Sequence, residues 1–146
     1  MNKALVIVLL ISAGTFVSLQ ASINARLAKY IGFLEAAFVS FLVGTITLLI
    51  LILFKGESNL RSVGEVPIVY LTGGILGALF VFSITYAVHI VGVTATLAIS
   101  ISIQLLIGLI LDTFDPMKVV KLDISIFNII GVLLVILGVF LILWRR

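Results

Sequence analysis

Two sets of neutral polar side chains interrupt the apolar stretches of this sequence at helical spacing. Gln20 and Asn24 are four residues apart, so a helix places both on one face. A second stripe repeats every four residues and consists of Thr96, Ser100, Gln104 and Gly108. Amides and hydroxyls both donate and accept hydrogen bonds, so these residues could bind a polar solute in a shared cavity. The alternative is that the amides bond neighbouring helices and that the hydroxyls bond back to their own helix.

Four further side chains could contribute, two of them to solute binding and two to coupling with a proton. Tyr86 and the adjacent Thr85 point towards the side of Gln20, and the Tyr86 ring could help to bind an organic cation. Such a ring can also be lipid-facing or fill a core. Glu35 and His89 are titratable groups near the ends of apolar stretches, so either could couple solute movement to a proton. Their other interpretation is a solvated position at the membrane surface.

Patterns typical of enzymes and metal sites do not occur in this sequence. There is no HExxH, no GxSxG and no glycine-rich phosphate loop followed by lysine. The chain has no cysteine, which excludes disulfides and thiolate chemistry, and it has a single histidine. We therefore expect a protein that is not an enzyme and that uses no cofactor and no metal ion.

Lipid is the solvent that the composition requires. The 146 residues are 63% hydrophobic and 10% charged, and the mean hydropathy is +1.45. A soluble domain of this size could not bury so much apolar surface. Since about 20 helical residues cross a bilayer, the runs predict five membrane-spanning helices. Their approximate bounds are 4–27, 33–54, 66–90, 93–111 and 124–144.

The helical interpretation follows from run length, and one long run must be divided. Backbone groups inside lipid are satisfied only in helices or closed barrels, and these runs lack the alternation of barrel strands.

Residues 66–111 would form a helix of about 69 Å, more than twice the membrane thickness, so the chain must fold back. Gly92 is the expected bend, because glycine tolerates a left-handed backbone. Pro67 suits the first turn of the third span, and Asp123 could cap the fifth.

The basic residues are divided almost evenly between the two membrane faces that five spans create. Five lie on the side of Met1, namely Lys3, Lys55, Arg61, Lys118 and Lys121, and four on the other, namely Arg26, Lys29, Arg145 and Arg146. Because an excess of lysine and arginine normally sets orientation, this balance predicts that both orientations are inserted. An antiparallel homodimer then becomes possible, and a single orientation is the alternative. Basic residues in these positions meet lipid headgroups, so no nucleic-acid partner is expected.

Small residues at regular spacing predict where helices pack closely. Gly73 and Gly77 are four apart in the third span, and Gly131 and Gly138 are seven apart in the fifth. Close backbone approach between small residues is a main source of helix association in lipid. We expect the first pair to pack helices, and the second pair to form the seam of a dimer.

The chain resembles the YdcZ-type five-span proteins of the drug/metabolite transporter superfamily over nearly its whole length. The segments that carry the resemblance are 20–28, 35–45, 73–78, 92–96 and 104–112, together with the last span containing Gly131 and Gly138. Residues 113–115, Thr-Phe-Asp, depart from the His-Phe-Gly that the family leads us to expect. The resemblance implies a ten-helix unit made of two inverted five-helix halves in the bacterial inner membrane, which moves small polar or amphiphilic solutes by alternating access.

Two functions follow from these observations. The first is a secondary transporter or exporter that acts as an antiparallel dimer, with Gln20, Asn24 and Gln104 lining the route of the solute. The second is a subunit without transport activity of its own, which pairs with another five-span protein and contributes structure. The orientation of the two termini distinguishes these hypotheses, because a single orientation of every copy removes the homodimer.

Overall fold

A computed structural model describes residues 2–56, 58–114 and 124–144, and in them every regular element is helical. The α-helices are α1 (Lys3–Ile31), α2 (Phe33–Lys55), α3 (Ile68–Leu71), α4 (Gly73–Val91), α5 (Val93–Phe114) and α6 (Ile126–Trp144), and a 3₁₀ helix covers Leu60–Glu65. The chain divides into two compact units, Met1–Ile90 and Val91–Arg146. The all-helical prediction is confirmed.

Five helical segments are long and apolar enough to cross a membrane. They are Lys3–Ile31, Phe33–Lys55, Ile68–Val91, Val93–Phe114 and Ile126–Trp144. Their number agrees with the five runs expected from the sequence, whereas their ends differ. The first helix continues about one turn beyond residue 27, because nothing between Arg26 and Ile31 breaks a helix.

The third segment is interrupted near its start. Pro67 precedes α3 as its N-cap rather than occupying its first turn. Thr72 then separates α3 from α4, and both its backbone N–H and its hydroxyl donate to the carbonyl of Val69. Such three-residue hydrogen bonds tighten a helical turn, and the following Gly73 and Gly74 have low helix propensity. The predicted Asp123 cap lies outside the described residues.

A single glycine reverses the chain between α1 and α2. Gly32 has φ 96° and ψ 162°, a conformation that is essentially restricted to glycine. Its N–H donates to the Ala28 carbonyl at 2.9 Å, and its carbonyl accepts the N–H of Ala36 at 3.1 Å. The last turn of α1 and the first turn of α2 therefore share one residue, and the two helices form a tight antiparallel hairpin.

At the predicted bend, Gly92 also has a positive φ, of 80°. The buried residues of α1 precede Gly32 by the same numbers of residues as the buried residues of α4 precede Gly92. In α1 they are Ala21, Asn24, Ala25 and Ala28, and in α4 they are Val81, Ile84, Thr85 and Val88. Positions spaced in this way form one stripe along a helix, so each helix packs through a single face.

Most large apolar side chains point outward from the chain. Phe54 is 86% exposed and Leu53 is 71% exposed, and α6 has no buried residue. In water such surfaces would aggregate, whereas in a bilayer they contact lipid tails or another membrane protein. The exposed apolar surface supports the assignment of these helices to a membrane.

We predict that Gly32→Ala destabilises the α1–α2 hairpin by about 1–3 kcal/mol, because a Cβ would strain the backbone at this φ. The new methyl group would also meet the Glu35 carboxylate, which lies against Gly32. Thermal unfolding in detergent measures the effect. Adding Glu35→Ala should restore only part of the loss, since the backbone strain remains. Gly14→Ala is the control, because a Cβ there has no neighbour within 4 Å among the described residues. Equal stabilities of the two alanine variants would contradict this account of the turn.

Candidate functional site

The two amides of α1 converge on one hydroxyl of α2. The Asn24 amide Nδ2 donates to Ser40 Oγ at 3.2 Å, and the Gln20 amide Nε2 donates to the same oxygen at 3.4 Å. Asn24 is only 4% exposed, whereas Gln20 is exposed. The predicted pair therefore does lie together, and a third residue joins it. We call Gln20, Asn24 and Ser40 the hairpin cluster.

Ser40 was not among the predicted site residues, although the sequence contains a signal for it. Asn24 and Ser40 each lie eight residues from Gly32. Once the chain reverses at a single residue, positions equally distant from the turn face each other across the hairpin. The sequence alone places a break between residues 27 and 33, but hydropathy does not show which side chains face each other across it.

A small cavity lies beside the hairpin cluster, between α1 and α4. Its volume is about 10 Å³, and its lining consists of Val17, Gln20, Ala21, Asn24, Phe80, Val81, Ile84 and Thr85. Thr85 is fully buried, and its Oγ1 is the one buried side-chain oxygen or nitrogen in the described segments that has no hydrogen-bond partner. This neighbourhood therefore combines two amides and two hydroxyls, none of which carries a charge.

A second, larger groove lies between α5 and α6 in the other unit. It has a volume of about 430 Å³ and is lined by Gln104, Leu105, Gly108, Leu109, Asp112, Asn128, Gly131, Val132 and Val135. The Gln104 amide donates to Ser100 Oγ at 2.8 Å, one turn earlier on the same helix. Gln104 is exposed, so its amide is accessible from the groove.

Asn128 is a groove residue that the sequence analysis missed. Its Oδ1 accepts the backbone N–H of Ser125 at 3.2 Å, while Ser125 Oγ accepts the N–H of Phe127 at 3.3 Å. These reciprocal bonds satisfy backbone donors at the start of α6. A serine followed three residues later by a side chain with an acceptor is the pattern of a capping box, and it could have identified this end of the helix.

The remaining candidates lie elsewhere or bond locally. The Thr96 hydroxyl donates to the Gly92 carbonyl, one turn earlier, at 2.8 Å. This is the local bond that the alternative interpretation of the hydroxyls expected. The Tyr86 and His89 rings both meet Phe33 edge-on, with centroids 5.1 and 5.3 Å from the Phe33 ring. Glu35 lies in the first turn of α2, so Glu35, Tyr86 and His89 share the Gly32 end of the first unit.

The glycines predicted to pack helices differ in their surroundings. A Cβ at Gly77 would lie 3.2 Å from Phe41 Cζ, so the Phe41 ring of α2 packs against the α4 backbone there. Cβ atoms at Gly73, Gly131 and Gly138 would have no neighbour within 4 Å in the described part of the chain. These three positions therefore have open space beside their backbone, and at Gly131 that space belongs to the groove between α5 and α6.

The described residues contain no arrangement suited to a metal ion. Within 2–56, 58–114 and 124–144, no three His, Cys, Asp or Glu side chains lie close enough to hold one. The chemistry available at both sites is hydrogen bonding by neutral groups, with the Asp112 carboxylate at one end of the groove.

Comparisons with known proteins point to one family. The family model described as "Putative inner membrane exporter, YdcZ" matches residues 5–141. The inner membrane protein YdcZ of Escherichia coli (strain K12) is 30% identical over 148 residues, which cover 99% of this chain and 99% of that protein. No solved structure gives a significant match. These matches point to a membrane transporter rather than an enzyme.

Replacing the shared acceptor tests the hairpin cluster. We predict that Ser40→Ala lowers the stability of the protein by about 0.6–1.7 kcal/mol, since both amides lose their partner inside lipid. Ser22→Ala is the matched control, because the Ser22 hydroxyl bonds its own helix and faces outward. Unfolding in mixed detergent micelles measures both variants. If the two serine variants are equally stable, the cluster does not hold the hairpin together.

Proposed function

This chain belongs to the YdcZ family, and from that premise we propose that it exports small polar or amphiphilic solutes as an antiparallel dimer. It is a multi-pass protein of the bacterial inner membrane. The observation that carries the proposal is the pair of amide-containing sites, one in each unit of the chain. Polar side chains within spans are costly in lipid, so they mark partners or solute routes.

The chemistry of the sites favours a particular kind of solute. Gln20, Asn24, Ser40 and Gln104 offer donors and acceptors without charge, which suits hydroxyl, amide or carbonyl groups of a solute. A fully charged group would lose its hydration without gaining a counter-ion in the hairpin cluster. The groove between α5 and α6 is lined mainly by apolar side chains, which suits the apolar part of an amphiphilic molecule.

The outer surfaces support assembly of two copies. The helix α6 has no buried residue, and Cβ atoms at Gly131 and Gly138 would have no neighbour within 4 Å among the described residues, which leaves room there for a second copy. The nearly equal division of basic residues allows opposite orientations in one membrane. Two such chains would form the inverted repeat that many transporters contain within one chain, with sites near the repeat interface.

Coupling of export to protons would involve the Gly32 end of the first unit. Glu35 and His89 are titratable groups there, and His89 contacts the same Phe33 ring as Tyr86. We propose these two residues for coupling and Tyr86 as a neighbouring contact for the solute. Neither residue is buried, and each lies near the end of a span.

Removing the amides tests the solute route. We predict that Asn24→Leu combined with Gln104→Leu reduces export to background while the protein still inserts and dimerises. The measurement compares extracellular solutes, by mass spectrometry, from cells with the wild-type protein, the variant or no protein. Asn59→Leu is the matched control, because it removes an amide outside the five spans. A solute exported equally by the wild type and the double variant would show that the site residues are wrong.

Labelling of single cysteines tests the dimer, and the natural absence of cysteine makes the background low. Ser58→Cys and Tyr30→Cys lie near opposite ends of the α1–α2 hairpin. We predict that a membrane-impermeant maleimide labels a substantial fraction of each variant in intact cells, because both orientations coexist. Complete labelling of one variant and none of the other would establish a single orientation. That outcome would favour a subunit that pairs with a different five-span protein.

A further inference from the structure

Thr85 differs from most of the other threonines in the described helices. Five of those hydroxyls donate to the carbonyl four residues earlier at 2.7–2.9 Å, namely Thr15, Thr45, Thr47, Thr96 and Thr113. Thr85 Oγ1 makes no such bond, although the side chain is 0% exposed. Because a buried hydroxyl without a partner is destabilising, its position beside two amides needs an explanation.

The cavity next to Thr85 has the size and the lining to supply that explanation. Its volume of about 10 Å³ corresponds to roughly one water molecule. Buried waters usually contact two to four polar groups, and Thr85, Asn24 and Gln20 all line this cavity. The Asn24 and Gln20 amides use one N–H each for Ser40, and each amide also has an acceptor oxygen and a second N–H.

We propose that this cavity is a binding site for one water molecule, which bridges the Thr85 hydroxyl to the amides of Asn24 and Gln20. The water gives Thr85 its partner and extends the hairpin cluster from α1 and α2 to α4. Thr85 is then a positioning residue, since it holds the Asn24 amide in place through the water. The site exists in the protein without solute, so it does not depend on export being the function.

The decisive variant is Thr85→Val, which keeps the side-chain shape and removes the hydroxyl. With a bridging water, the variant loses a hydrogen-bonded link and its Tm falls by about 2 °C or more. Without the water, valine removes an unsatisfied buried group and the Tm rises. Thr96→Val is the matched control, because Thr96 is equally a buried threonine but bonds its own helix, so its Tm should change less.

The second measurement detects the water itself, with water as the probe. In the wild-type protein in micelles, nuclear magnetic resonance should show magnetisation transfer from a long-lived water to the side-chain amide of Asn24. Thr85→Val should abolish the transfer and shift the Asn24 amide resonance, whereas Thr85→Ser and Thr96→Val should retain both.

Three outcomes overturn the proposal: a raised Tm of Thr85→Val, an unchanged water transfer in that variant, or the absence of transfer in the wild type. The wild-type measurement decides the question even if the valine variant does not fold. Loss of export in the Asn24 and Gln104 variants bears only on the function, so the two proposals can fail separately.

Discussion

The first unit depends on hydrogen bonds that lipid cannot replace. Lipid tails are as apolar as leucine, so two apolar helices gain little by leaving lipid for each other. Lipid tails offer the amides of Gln20 and Asn24 no hydrogen-bond partner, and both amides donate to Ser40 Oγ. With two donors bound, the acceptor capacity of that hydroxyl is filled. These bonds oppose separation of α1 from α2, because separation would leave three polar groups in hydrocarbon.

Close backbone approach makes those bonds possible. The buried face of α1 consists of Asn24 and three alanines, and the buried residues of α2 are Ala36 and Ala37. Small side chains let the helix axes come near enough for an amide to reach a serine. Gly32 supplies the other requirement, since a one-residue reversal places residues 24 and 40 at equal distances from the turn. Larger residues on these faces would separate the amides from their acceptor.

In the proposed export function, the polar groups that stabilise the helices also bind the solute. A transporter binds its solute reversibly. The polar groups of its site must therefore still be able to form hydrogen bonds with the solute, in addition to those they form within the protein. Gln104 is held by Ser100 yet exposed to the groove, and Thr85 lies buried without a partner among the described residues. The helix α6 has no buried residue, so it leaves a broad apolar surface whose natural contact is lipid or another membrane protein.

The sequence by itself determined the local features of this protein. Hydropathy predicted five helices that can span a membrane, since each depends only on its own run of residues. Backbone sterics identified Gly92 as a break, and helical spacing placed Gln20 and Asn24 on one face. Only the tertiary structure decided that both amides donate to Ser40 and that Thr85 lies beside them. It also decided that the rings of Tyr86 and His89 both contact Phe33. The reason is that periodicity describes one helix at a time, whereas contacts between helices depend on their rotation and separation, which residues distant in sequence set together.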